Sequence, residues 1–522
     1  MKIIQAQYTP SALKIFAGNP LIEALPNYLD YNPIEISKLL SKKPDALFDP
    51  LDSKIHRANW LMSLNRTLFI SLTRHVQLQQ LLDLMLRQSY MQRNPTFDDE
   101  YYANAYKKQK EAEAIGEKLA TVDYGFHEVD PLSVAVIGLS GIGKSTAVGR
   151  IFNLYPQVIR HTQSSNCHMQ FDQVVFLKVE CPHAGSVKTL CNNIIEELGR
   201  LTNNNYKSIY VKSSRVTLDE LKELISHLLA IHKVGILAID EIQNITSVRK
   251  SRDELCNFIV SIANGLGVSL LFIGTRKILQ FMQRGLRLAR RFGSCGTFDW
   301  GRMEHESTDW RKFSIELWKY NVLNNEPAQM PKDIDNALYE YSQGITDILV
   351  KLFILSQIRA LVANQERLNE NIIKKVFDEH FNTVKPIIKA LRDNDEVKLR
   401  YYEDVYISDE EFDNIVKTMT NELKEPSNFN AEEDTIVNLK KLVINFLTDG
   451  GMNITSDIER KIDQILQNDK TATMPTIVFK IINEFKTSKV SKDRALNNEN
   501  NKLVKNAPEG TTINEGALDD EI

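Results

Sequence analysis

Gly138-Leu139-Ser140-Gly141-Ile142-Gly143-Lys144-Ser145 is the stretch of this chain with the clearest chemistry. It matches the spacing GxxxxGK[ST] in full, directly after the apolar run Ser133–Ile137. Gly138, Gly141 and Gly143 permit backbone conformations that a side chain would block. The freed N–H groups are then expected to turn inward and cradle phosphate oxygens, aided by the positive end of a helix starting near Lys144. Lys144 would reach the β and γ phosphates of ATP, and the Ser145 hydroxyl would ligate Mg²⁺. Thr146 would contact the α phosphate. The alternative is a glycine-rich turn without ligand, which the preceding strand argues against.

A second constellation is Gly235-Ile236-Leu237-Ala238-Ile239-Asp240-Glu241. Four apolar residues running into two carboxylates suggest a buried strand that ends at a site, where open α/β sheets bind ligands. Asp240 would hold Mg²⁺, directly or through water, and Glu241 would orient and deprotonate an attacking water. Adjacent side chains at a strand end point to opposite sides, which allows two roles. A solvated Asp-Glu turn is the bland alternative. The next apolar run ends in Thr275, whose hydroxyl could position the water, or could merely cap the strand. Residues 276–291 then hold six basic residues and no acidic one. Such a run is often a solvated face. Arg291 or Arg290, with Arg287 in reserve, is also placed to serve as an arginine finger on a neighbouring subunit's γ phosphate.

The elements that must position these residues follow from the apolar pattern. Ser133–Ile137, Val174–Val179, Ile236–Ile239 and Ser269–Ile273 are short β-branched runs of the kind buried on both faces of a parallel sheet. Thr297–Trp300 is a possible fifth. Helical segments between them predict an α/β fold with a doubly covered sheet. Before it, residues 1–125 form an extension broken at Asn19-Pro20, Asn32-Pro33 and Asn94-Pro95. Leu61, Leu64, Leu68 and Leu72, then Leu78, Leu81, Leu82 and Met85, predict one helix from Trp60 to Tyr90. Asp99–Leu119 reads as a solvated helix. The core is expected over 126–305, a helical lid over 306–390 and a charged helical region over 391–485. Residues 486–522 have no aromatic side chain and are expected to be disordered.

Composition excludes several classes. Of 522 residues, 43% are hydrophobic and 25% charged, the balance of a soluble globular chain rather than a collagen-like or disulfide-stapled one. No uncharged apolar stretch approaches the ~20 residues that span a bilayer, so no membrane partner is expected. The opening residues lack the apolar core of a signal peptide. Five cysteines without a CxxC pair point to a reducing, cytoplasmic setting. A formal net charge of −4 excludes a wholly basic nucleic-acid coat but not local basic patches. His161, Cys167, His168, Cys181, His183 and Cys191 lie within 31 residues, yet none shows the paired spacing of a structural zinc site.

Together, the phosphate loop, the Asp-Glu strand, Thr275, the arginines and the trailing helices resemble an AAA+ ATPase with a P-loop core. Several segments go further and look like TnsC, the AAA+ regulator of Tn-seven-type DNA transposons. They are Asn19–Pro26 (NPLIEALP), Arg93-Asn94-Pro95, Tyr155–Ile159 (YPQVI), Ile239–Gln243 (IDEIQ), Leu288–Arg291 (LARR) and Ser342–Ile348 (SQGITDI). The resemblance implies a bacterial, Mg²⁺-dependent ATPase that oligomerises on double-stranded DNA as a ring or filament. It implies that the protein links a target-selection protein to transposase subunits and is disassembled by hydrolysis. The extension would meet the target selector and the tail the transposase. It also implies backbone contacts to DNA from the ATPase domain; Lys188, Thr189, Lys207, Lys212 and Arg215 are the candidates, each equally readable as a solvated residue. One departure stands out. Many AAA+ lids carry Gly-x-x-Arg, whereas this chain has Gly344-Ile345-Thr346-Asp347; only Lys351, one turn on, could substitute. An initiator or helicase loader, and an ATP-holding DNA scaffold with little turnover, are the competing readings. Residues 391–485 show no sequence-reading helix-turn-helix to favour an initiator, and Glu241 argues against an idle scaffold.

Overall fold

The computed structural model describes residues 3–28, 30–44, 52–91, 93–95, 132–162, 170–211, 216–246, 254–255, 257–259, 267–282, 296–402, 406–423, 443–444, 447, 456–468 and 480–481. The chain divides into two compact units, residues 1–425 and 426–522. The first opens with β1 (Ile4–Gln5), α1 (Pro20–Glu23), α2 (Pro33–Leu40), α3 (Lys54–Thr67) and α4 (Thr73–Met91). Next come β2 (Ser133–Ile137), α5 (Lys144–Phe152), β3 (Val158–His161), β4 (Phe171–Val174), β5 (Phe176–Glu180), α6 (Val187–Thr202), α7 (Tyr206–Tyr210) and α8 (Leu218–Ile231). They are followed by β6 (Ile236–Asp240), α9 (Gln243–Thr246), β7 (Ser269–Gly274), α10 (Lys277–Met282) and β8 (Thr297–Asp299). Helices complete it: α11 (Thr308–Trp318), α12 (Lys332–Ser342), α13 (Thr346–Val362), α14 (Glu370–His380), α15 (Lys385–Arg392), α16 (Glu396–Tyr402) and α17 (Asp409–Glu422). In the second unit, α18 (Ser456–Asn468) buries Ile458 and Ile462, one helical turn apart.

Five parallel strands form the central sheet in the order β5-β6-β7-β2-β8. Side chains alternate between its faces. Val134, Val136, Ile236, Ala238, Leu271 and Ile273 join one apolar core, shared with α4, α5 and the trailing helices. Ala135, Ile137, Leu237, Ile239, Leu270 and Phe272 join another, shared with α6 and α8. With both faces covered there is no polar alternation to see, which is why these strands read as unbroken apolar runs. Parallel strands also bring their carboxyl ends to one edge, so the segments after β2, β6 and β7 meet there.

Two expectations fail. The run Val174–Val179 is two strands, not one. At Val175 the amide turns to the Gln157 carbonyl (2.9 Å), and the chain passes from a three-stranded sheet, β1-β3-β4, into the central one. The predicted helix from Trp60 to Tyr90 is α3 and α4 with an extended break at Leu68–Leu72. There Phe69 pairs antiparallel with Lys42, its N–H donating to the Lys42 carbonyl over 2.8 Å and its carbonyl accepting over 2.9 Å. Backbone pairing with a neighbour has displaced helical hydrogen bonds. Asn19 and Asn32, by contrast, cap α1 and α2 with Pro20 and Pro33 in the first turn. The Asp99–Leu119 segment and the 486–522 tail lie outside the described residues.

Candidate nucleotide and metal site

The loop after β2 needs left-handed backbone at Gly141 (φ +70°) and Gly143 (φ +92°), the second being the residue before α5. Gly138 differs. Its φ is ordinary, but a Cβ there would collide with the Trp300 carbonyl just past β8. What Gly138 provides is space for a close approach, not conformational freedom. Trp300 also donates from its indole nitrogen to the Ile142 carbonyl (3.1 Å), tying the loop to the sheet edge. Lys144 is buried, and its ammonium is held by the carbonyls of Gly138 (3.0 Å) and Leu139 (2.7 Å).

Asp240 ends β6, one strand removed from β2, and reaches the loop. The Ser145 hydroxyl donates to its Oδ1 over 3.0 Å. On the other side Lys178 of β5 places its ammonium 2.9 Å from Oδ2. Serine hydroxyl and carboxylate are hard oxygen donors, the set that Mg²⁺ accepts alongside water and phosphate oxygens, and the ammonium already beside Oδ2 marks the spot as one that holds positive charge. The residues present therefore fit the metal, with Ser145 and Asp240 as its holders.

Glu241 follows in left-handed backbone, φ +52°. That turn sends its carboxylate away from the strand, and the carboxylate lines the cleft below the loop. Burial raises its pKa and the adjacent Asp240 charge raises it further, while Lys144 and a hydrogen bond from Gln243 oppose the rise. Gln243 Nε2 donates to Glu241 Oε2, and Gln243 Oε1 accepts from the Thr275 amide over 3.2 Å. A Cβ on Gly274 would strike that same Oε1, so glycine is needed for the amide side chain to bridge the strands. Thr275 follows β7, between the ends of β6 and β2, and is 2% exposed. Among the described residues its hydroxyl has no hydrogen-bond partner, a buried polar group open to a ligand.

The cleft holds about 240 Å³. Loop residues 140–146 and Glu241 form its floor. Leu68, Phe69, Ile70 and Leu72, from the break between α3 and α4, and His75 in the first turn of α4 form one wall. Phe313, Thr346, Asp347 and Val350 form another. Neutral His75 accepts at Nδ1 from the Leu72 amide (2.7 Å), and burial holds its pKa down near 3. Its ring lies 4.9 Å from Phe69 and 5.2 Å from Trp300.

Asp347 opens α13 and donates its amide to the Gly141 carbonyl (3.1 Å), so this helix meets the loop through backbone. Lys351 does not replace the missing arginine. It is 2% exposed, and its ammonium is taken by Asp347 (2.8 Å), the Ile407 carbonyl (2.6 Å) and Asp409 (3.5 Å).

The sequence pattern missed Lys178, Gln243, Trp300 and the 68–75 wall. Gln243 carried a faint signal, three residues beyond Asp240, where the same strand ends. Arg287, Arg290 and Arg291, and Lys212 and Arg215, lie outside the described residues. Lys188 donates to the Val216 carbonyl (2.6 Å), exposed Lys207 pairs with Glu196 (3.0 Å), and Thr189 is exposed on the first turn of α6. Of the histidine–cysteine group, His161 is engaged by Tyr8 (2.9 Å) and Gln173 (2.7 Å). Burial pushes the Cys181 thiol up and the Cys191 thiol up to about 12. Cys167 and His168 lie outside the described residues. Among the described residues no helix is long and apolar enough to cross a membrane.

Residues 128–282 match the family model of the AAA domain. No curated protein matches the chain. Among solved structures it is similar to the ORC1 protein of Aeropyrum pernix in complex with DNA, at 15% identity and a TM-score of 0.33, over 74% of this chain and 82% of that one. A Walker-type ATPase of Pyrococcus abyssi aligns at 13% identity and a TM-score of 0.32, over 70% and 88%. The RuvB Holliday junction branch migration motor of Thermotoga maritima aligns at 14% and 0.27, over 54% and 69%. Taken with the strand order and the loop geometry, the family match makes the sheet-bearing part of this chain an AAA-type P-loop ATPase domain.

Proposed function

We propose that this protein is an ATP-hydrolysing regulator of DNA transposition of the TnsC kind, which assembles on duplex DNA and links a target-selection protein to the transposase. The observation that carries the ATPase part is the 3.0 Å contact between Ser145 and Asp240, which joins phosphate loop and metal carboxylate at one point. The transposition part is supported by the dispersed sequence resemblance, above all Asn19–Pro26.

In this reading the amides of 138–146 hold phosphate oxygens, and Lys144 neutralises their charge. Mg²⁺, held by Ser145 and Asp240, supplies further positive charge to the phosphoryl oxygens. Glu241 orients a water and accepts its proton; a pKa raised by burial improves it as a base. Gln243 fixes the Glu241 carboxylate, and the Thr275 hydroxyl orients the water from β7. Arg291 or Arg290 of one subunit completes the site of the next. Residues 1–125 contact the target selector, 126–305 hydrolyse ATP, 306–390 form the lid, 391–485 add a helical region and 486–522 reach the transposase. Thr189 and Lys207, with Lys188, Lys212 and Arg215, offer backbone contacts to DNA. Such contacts make assembly weaken steeply as salt rises.

Electron microscopy with duplex DNA tests this. Rings or filaments are expected with a non-hydrolysable ATP analogue, transient ones with ATP and none with ADP. Particles that stay monomeric under all three conditions would overturn it.

A further inference from the structure

Behind the wall of the nucleotide cleft lies a second concavity, of about 440 Å³. Leu68, Phe69 and Ile70 line both. This one is basic: Lys38, Lys42, Lys43 and Lys312 line it against one carboxylate, Glu316. Glu316 is shared, 3.9 Å from Lys43 and 2.5 Å from Lys319. Lys312 donates to the Ser37 hydroxyl over 3.3 Å. Among the described residues, Lys38 and Lys42 have no ion-pair partner. Like charges gathered in one hollow repel one another unless an anion sits among them. A second, independent observation points the same way. Ser71 also lines the hollow, is fully buried, and its hydroxyl has no partner among the described residues.

We propose that this hollow is a second anion site that takes a phosphate group. Several ammonium donors and a hydroxyl match the multiple oxygens and charges of a phosphate better than the single charge and two oxygens of a carboxylate. The site is mechanically joined to the nucleotide cleft. Lys42 is paired through its backbone to Phe69 in both directions. Arg150 of α5, the helix that starts at Lys144, lies over the Phe69 ring at 5.6 Å and donates to the Leu40 carbonyl (2.9 Å). A phosphate that draws Lys42 inward shifts the wall against which the nucleotide rests. Linkage makes the effect reciprocal, so each ligand changes the other's affinity by one factor.

The test uses the full chain with its nucleotide cleft filled by a non-hydrolysable ATP analogue, so that the phosphate loop is not available. Inorganic pyrophosphate is titrated by calorimetry at low salt. One saturable site is expected, weakened by about tenfold or more in the Lys42→Ala/Lys312→Ala pair and restored by the Lys42→Arg/Lys312→Arg pair. The backbone pairing of Lys42 does not depend on its side chain, and both side chains are exposed, so the variants fold. A duplex of about 40 base pairs then separates the sources. Displacement of pyrophosphate by duplex assigns the site to a nucleic-acid backbone; simultaneous binding assigns it to a free phosphate compound. No pyrophosphate uptake, or uptake that the alanine pair leaves unchanged, overturns the proposal.

Discussion

The Ser145 hydroxyl meets Asp240 Oδ1 at 3.0 Å, joining residues 95 positions apart in the chain. Ser145 lies in the first turn of α5, past the loop after β2, and Asp240 ends β6; the parallel sheet brings both to the same edge. The same geometry packs three polar strand ends into one edge, and each can be perturbed separately.

Lys144 is the loop's only cationic side chain, and its ammonium closes the loop onto Gly138 and Leu139. Lys144→Ala is expected to weaken ATP binding by about 100-fold or more, roughly 2.8 kcal/mol. DNA assembly should disappear with it. Nucleotide titration and electron microscopy read the two effects, and ATP-dependent assembly that survives in the variant would refute the coupling.

Glu241 and Gln243 should separate chemistry from positioning. Glu241→Gln is expected to lower turnover by about 10²–10⁴-fold while ATP binding and assembly persist. Gln243→Ala frees the carboxylate and the Thr275 amide but leaves the base in place. Its turnover should fall less, by about tenfold, with ATP affinity unchanged. Steady-state hydrolysis set beside equilibrium binding decides, and a Glu241→Gln variant with full turnover would show the base to be elsewhere.

Phe69 offers the cleft an aromatic face. Phe69→Ala should raise the dissociation constant for ATP several-fold, by about 1 kcal/mol, since ring contacts of this kind carry roughly 0.5–1.5 kcal/mol. Inorganic triphosphate, which has no base, should bind the variant as it binds the parent. Equal losses for both ligands would place the ring outside the base site.

Burial keeps three histidines neutral: His75 near 3, and His161 and His227 near 4, against an ordinary value of 6.5. Below pH 6.5 the unfolded chain takes up protons that the native one refuses, so stability falls as pH drops from about 6.5 towards 4. His161 faces Tyr8, Gln173 and the nearby Asp172 carboxylate. His161→Gln should flatten the fall, read as urea midpoints at neutral and acidic pH. Identical slopes for parent and variant would remove His161 from the account.

What the sequence revealed, and what it hid, divides along physical lines. Strands β2, β6 and β7 and the phosphate loop were legible because doubly buried strands and glycine-dependent loops leave local signatures. The break at Leu68–Leu72 was not, because its leucines keep helical spacing and the force that opens it is a backbone pairing with Lys42, distant in sequence. The switch at Val175 failed likewise: the run Val174–Val179 carries the end of β4 straight into β5, and only their different strand partners separate them. Lys178 was invisible because strand pairing, not sequence distance, brings it to Asp240. Gly138 showed its identity but not its reason, which depends on Trp300.

One apolar cluster runs from Phe16 through the sheet to Met419. The helices before the sheet, one face of the sheet and the helices after it therefore share one interior, while the sheet's other face keeps the second core with α6 and α8. Heating should melt residues 1–425 as a single event, with one endotherm and coincident loss of helix and tryptophan signals. A fragment beginning at residue 126 would expose α4's side of that cluster and precipitate rather than behave as a small ATPase. Such a fragment recovered as a well-folded monomer would contradict this.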